Sequence, residues 1–110
     1  MVMTVVTKIN PPGADFFYTA EWYQIVEDHR IWLLQASDNQ IQPIQPHLMT
    51  SYTGDLNGYL NTLQIPPYMH WVIARMNNLA SLEDFNSEKK SLVIPTEQTI
   101  ERLRKLAMTS

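Results

Sequence analysis

The chain has 110 residues, 45% of them apolar, with eleven acidic against eight basic side chains and a net charge of -3. That is one domain's worth of sequence, able to bury roughly two-thirds of its unfolded surface, and it lacks the basic excess of a nucleic-acid binder. There is no cysteine, which removes disulfides and thiolate metal sites, and no apolar run nears the ~18 residues of a membrane span.

The first element, "MTVVTKI" from Met3 to Ile9, is β-branched and alternating, and predicts a short strand or extended arm. The start of the chain has neither a basic n-region nor a long apolar h-region, so no signal peptide is expected. "NPPG" at Asn10 to Gly13 then fixes φ twice and removes two donors, which stops helix and central strand alike. Thr19 stands as an N-cap before Trp22, Ile25, Val26, His29, Trp32, Leu33 and Ala36, which share one helical face. That spacing predicts a helix over about Ala20 to Ala36. "SDNQIQPIQPH", Ser37 to His47, reads as a polar connection held extended by its two prolines.

"HLMTSYTG", His47 to Gly54, reads as a short strand ending at glycine. Asp55 is placed to cap a short helix, "LNGYLNTL", in which Leu56, Tyr59, Leu60 and Leu63 share a face and Gly58 is a weak point. Pro67 suits the first turn of the next helix, Pro67 to Asn77. Its apolar set of Met69, Trp71, Val72, Ile73 and Met76 runs nearly all round, which predicts burial on most sides. Asn77 and Asn78 supply a stop, because asparagine tolerates left-handed backbone. "SLVIP", Ser91 to Pro95, predicts a strand. Thr96 caps a last helix with Ile100, Leu103, Leu106 and Ala107 as its apolar stripe. The fold class expected is α+β, mainly helical.

From Asn39 to Ala74 the only formal charge is Asp55. Loss of charge together with aromatic enrichment is the composition of an interface core; a small domain with few exposed faces gives the same pattern. Chemistry is poorly signalled. His29, His47 and His70 lie 18 and 23 residues apart on separate elements, so no metal site is expected. Asp55 has no second carboxylate nearby, and there is no G-x-S-x-G and no Gly-rich phosphate loop. Arg75 stands four residues after Trp71, placed either over that indole or beside Glu83 or Asp84. No catalytic residue, cofactor or small-molecule substrate is expected.

Three pieces of the second half resemble a known module. "TSYTGDLNGYLNTL" resembles the "Y-x-V-x-x-G-D-T-L" opening of a LysM repeat, with Gly54 and Asp55 at the turn. "VIARMNNLASLEDF" resembles its second helix and the turn after it, and "SLVIP" its closing strand. The longer stretch "YMHWVIARMNNLASLEDFNSEKKSLVIPT" is similar to "YWVIL-x-x-N-x-I-x-D-P" of the small baseplate wedge proteins of contractile-tailed phages. It departs from that pattern in lacking the D-P and in a lengthened segment from Gly58 to Pro67.

The resemblance implies an N-terminal arm, helix and connection over 1–46, a LysM-like β-α-α-β unit over 47–96 and a C-terminal helix over 97–110. It implies a structural virion protein of the tail baseplate, made in the host cytoplasm, that docks neighbouring baseplate and tail proteins without nucleic acid or membrane. The residues expected at such contacts are Val5, Val6, Ile9, Trp22, Tyr52, Tyr59, Tyr68 and Leu103, with the arm adding as a strand to another chain. The other function the resemblance implies is binding of peptidoglycan or chitin oligomers in a groove of Gly54, Asp55, Leu56, Leu79 and Leu82.

Overall fold

The computed structural model describes residues 14–109. Six α-helices and two strands follow one another in it. A 3-10 helix, Ala14–Tyr18, leads into α1 (Ala20–Asp28) and α2 (Arg30–Leu34). Then come β1 (Gln40–Pro43), α3 (Pro46–Tyr52), α4 (Leu56–Thr62), α5 (His70–Met76), β2 (Ser91–Ile94) and α6 (Glu97–Thr109). The architecture is α+β and mainly helical, with one two-stranded antiparallel sheet.

Most predicted caps form as the sequence implies. The Thr19 hydroxyl accepts from the Trp22 N–H at 3.2 Å, Asp55 from the Gly58 N–H at 2.9 Å, and Thr96 from the Thr99 N–H at 3.1 Å. Asn77 ends α5, and Asn78 takes the left-handed conformation at φ 63°. The expected helix over 20–36 is present but broken at His29, whose φ of -120° is not helical. The His29 ring bonds the Ile25 carbonyl at 2.8 Å, so a side chain serves the carbonyl that continuing helix would have bonded.

The largest correction concerns 47–54. This segment is not a strand; it is α3. Pro46 sits in its first turn, where the missing N–H costs nothing. Thr50, Ser51 and Thr53 turn their hydroxyls back onto the carbonyls of Pro46, His47 and Met49, which satisfies polar groups within the helix. The first strand lies earlier, inside the segment read as a connection. Gln40, Ile41, Gln42 and Pro43 pair with Ile94, Val93, Leu92 and Ser91. Three helices, α3 to α5, therefore lie between the two strands, one more than a β-α-α-β unit has.

One core draws on most of these elements. Trp22, Val26, Leu33, Leu56, Leu60, Val72, Ile73, Phe85, Leu92, Ile100 and Leu103 are fully enclosed. α5 is the central helix: His70, Val72, Ile73, Ala74 and Met76 are all buried, as its all-round apolar pattern implies. Trp71 is the exception, half-buried, with its ring 4.4 Å from that of Tyr23. Arg75 turns to neither Trp71 nor Glu83 and Asp84. It donates to Glu27 at 2.5 and 3.1 Å and to the Leu79 carbonyl at 2.8 Å, tying α1 to α5 and to the turn after it. Ile100 and Leu103 seat α6 on the core, while Leu106 stays half exposed.

Candidate functional site

The exposed face from β1 to the start of α4 stands out by chemistry. Gln40, Ile41, Pro43, Gln45, Pro46, His47, Thr50, Ser51, Thr53, Asp55 and Asn57 are all exposed, and Asp55 is the only formal charge among them. α3 presents this face because Met49 is buried and Leu48 and Tyr52 half-buried on its inner side, leaving His47, Thr50 and Ser51 outside. A cleft of about 210 Å³ opens beside it, lined by Ile44, Pro46, Met49, Thr50, Ser87, Lys89 and Lys90.

The two edges of the sheet differ. Ile44 N–H donates to the Lys90 carbonyl at 3.0 Å. With the observed register, antiparallel alternation then makes Gln42–Leu92 and Gln40–Ile94 the exchanging pairs and turns the polar groups of Ile41 and Val93 outward. On the β2 side these are met by one side chain. The buried Asn77 accepts from the Val93 N–H at 2.8 Å and donates to the Val93 carbonyl at 2.9 Å, acting as a one-residue third strand. On the β1 side, Ile41 is 64% exposed, and among the described residues no side chain is seen bonding its outward groups as Asn77 bonds those of Val93.

The residues expected at contacts fall elsewhere. Trp22, Tyr59, Tyr68 and Leu103 are buried in the chain's own core, and Tyr52 is half-buried against Tyr59. The physical reason is supply: a domain this small uses its largest apolar bodies to close its own core. Burial, and then the Glu97 carboxylate that accepts its hydroxyl proton at 3.2 Å, push Tyr68 well above the usual phenol range. Val5, Val6 and Ile9 lie outside the described residues.

Of the expected sugar groove, Leu56 and Leu79 are buried, Gly54 and Leu82 are half-buried, and only Asp55 is exposed. Its two loops do meet: the Gly54 N–H donates to the Phe85 carbonyl at 2.7 Å. Beside them lies an open polar cleft of about 410 Å³ lined by Asn78, Leu79, Ala80, Asp84, Asn86, Glu88 and Lys89.

The exposed large apolar side chains are different ones: Ile31, Ile41, Leu106, Tyr18 and Leu34. Ile31 and Leu34 line a shared shallow pocket with Arg30, Arg75, Met76 and Asn78. Two signals for them were present in the sequence. Ile31 and Leu34 fall off the helical stripe of Trp32 and Leu33, and Ile41 alternates with glutamine in "QIQP". Among the described residues no three His, Asp or Glu side chains gather where they could hold a metal. No helix of the described residues is long and apolar enough to cross a membrane.

The comparisons with known proteins give no relative. No family model, no curated protein and no solved structure matches the chain.

Proposed function

We propose that this chain is a structural assembly protein, a docking block of the baseplate wedge in a contractile phage tail. The observation that carries the reading is the exposed run from Gln40 to Asn57, whose only formal charge is Asp55. A surface facing only water has no reason to shed its charge over so long a stretch, whereas charge depletion is what the centre of a protein contact requires. The resemblance of 68–96 to wedge proteins supplies the class. The structure departs from the β-α-α-β form of that resemblance, since Pro46–Tyr52 is helical and three helices, α3 to α5, lie between the two strands. Charging the face tests the reading. Thr50→Glu with Ser51→Glu alters two exposed positions of α3. The variant is expected to keep the parent's unfolding midpoint and to lose co-purification with tail proteins; unchanged co-purification would oppose the reading.

The meeting of Gly54 with Phe85 beside a polar cleft favours a second reading, in which the chain binds cell-wall glycans. Calorimetry with chitin oligomers separates the two. Saturable micromolar binding, lost on Asn86→Ala in the cleft, selects the second; absence of heat selects the first.

A further inference from the structure

We propose that the chain forms a two-fold dimer in which β1 pairs with β1 of a second copy, joining the two small sheets into one antiparallel sheet of four strands. The axis passes through Ile41. Gln40 and Gln42 exchange their backbone bonds with Ile94 and Leu92, which leaves the Ile41 N–H and carbonyl pointing away from β2. In the dimer each Ile41 N–H donates to the Ile41 carbonyl of the other copy. Proline sets this register. Pro43 is the next outward position and has no N–H, so a pairing shifted to place Pro43 opposite Ile41 would lose half of the exchange. Asn77 already meets the outward groups of Val93 in each copy, so the joined sheet is closed at both outer edges and stops at four strands.

The edge is complementary to itself, and this selects a second copy as its occupant. A two-fold axis sets the groups on it against their own kind, so a charge there would meet the same charge. β1 carries none from Gln40 to Pro43. Ile41 lies opposite Val93, so their side chains share a face of the sheet. The pairing then lines up Val93, Ile41, and Ile41 and Val93 of the other copy across four strands, a β-branched row that covers a side chain 64% exposed in the single chain. The two ends of β1 differ in sign. The cleft at its start, shared by Gln40 and Ile94, has Glu97 as its one formal charge. The cleft at its end, shared by Ile44 and Pro46, has Lys89 and Lys90. Antiparallel pairing brings the acidic end of each copy to the basic end of the other, twice over. The inference rests on the exposed run from Gln40 to Asn57 being a contact surface, as the proposed function does, and names its first partner.

The absence of cysteine makes the test clean. Across an exchanging antiparallel pair the Cα atoms stand about 5.5 Å apart, which is within disulfide range, so one Ile41→Cys change is enough. Gln40 would face Gln42 of the other copy, which leaves the two Gln40 residues more than about 7 Å apart and out of range. The full chain carrying Ile41→Cys is oxidised mildly beside chains carrying Gln40→Cys or Lys105→Cys, both at exposed positions. The expected result is a covalent dimer, reversed by dithiothreitol, that forms much faster from Ile41→Cys than from either control; equal rates would overturn the proposal. Light scattering on Ile41→Lys gives an independent reading. Because Ile41 is exposed, the unfolding midpoint should hold, while two lysines meeting on the axis weaken dimerisation by about tenfold or more. A dimer as strong as the parent's would overturn the proposal, and so would a wild type still monomeric at about 1 mM. If that monomer joins a tail particle and Ile41→Lys releases it, the edge takes a foreign strand, and the proposed function stands without this inference. A dimer that joins no tail particle would leave this inference standing and the proposed function refuted.

Discussion

Asn77→Ala is the most informative single change in the fold. The Asn77 side chain makes three hydrogen bonds, donating to the carbonyls of Ile73 at 2.7 Å and Val93 at 2.9 Å and accepting from the Val93 N–H at 2.8 Å. Ile73 keeps a partner without it, because the Asn77 backbone N–H bonds the same carbonyl at 3.1 Å. Val93 loses both partners at once. A buried donor or acceptor left alone costs about 1–3 kcal/mol. Val93 is half-buried, which lets water recover part of that, so a total of about 2–4 kcal/mol is expected. At about 4–8 °C per kcal/mol for a domain of this size, the unfolding midpoint should drop by roughly 8–32 °C. Calorimetry gives the midpoint, and amide exchange at Val93 should lose protection before its neighbours do. Asn77→Asp should be worse still at neutral pH, since a carboxylate would face both carbonyls. A raised carboxyl pKa in the folded state makes that penalty grow as pH rises from the ordinary carboxylate value and level off above the folded one. A midpoint for Asn77→Ala within about 3 °C of the parent would refute the idea that this amide closes the sheet edge.

Other expectations follow from the same packing. Trp22→Ala, at a fully enclosed site, should cost about 3–5 kcal/mol, whereas Trp71→Ala at its half-buried site should cost less than half as much in the same urea titration. Gly58→Ala, ordinarily worth about 1 kcal/mol to a helix, should bring no gain. The new Cβ would stand 2.3 Å from Asp55 Oδ2 and 3.0 Å from Tyr52 Cδ1, so the cap must yield; a clear rise in midpoint would contradict this. Acid should loosen the fold through Glu27 and Asp38. The Arg75 hydrogen bond holds Glu27 below its ordinary 4.5, and the Thr96 and Thr99 hydroxyls hold Asp38 below its ordinary 3.8. The unfolded chain thus takes up these protons first. Their contribution is complete above pH 4.5 and disappears as pH falls through the lowered folded values. Arg75→Met should flatten the Glu27 part of that acid limb, and an unchanged limb would show that the pair is not the cause.

Local chemistry was legible in the sequence wherever one residue type decides one backbone feature. Thr19, Asp55 and Thr96 as caps and Asn78 at a left-handed stop all act within four residues, while Pro67 opens a short 3-10 helix, Pro67–Met69, ahead of α5 rather than α5 itself. The first strand was not legible, because "QIQP" is short, flanked by prolines and becomes a strand only by pairing with residues some fifty positions later. For the same reason "HLMTSYTG" misled: its threonines and tyrosine have strand propensity, and only Pro46 behind and Met49 beneath make it helical. Gly58 looked like a flaw until the Asp55 carboxylate was seen to occupy the space a side chain would need. At the candidate site, the uncharged stretch was visible as composition. Aromatic size pointed to the wrong members of it, because Tyr59 and Tyr68 are needed inside and Ile41 is left outside.

The claim that this chain acts by protein contact, as part of a contractile tail, is tested most directly by sedimentation. The tagged chain is produced from its own locus, and lysate is resolved on a density gradient with mass spectrometry of each fraction. The account predicts that the chain travels with a large particle containing sheath and tube proteins, and that Thr50→Glu with Ser51→Glu returns it to the top of the gradient. A wild-type chain that stays at the top and pellets only with washed cell wall would contradict it.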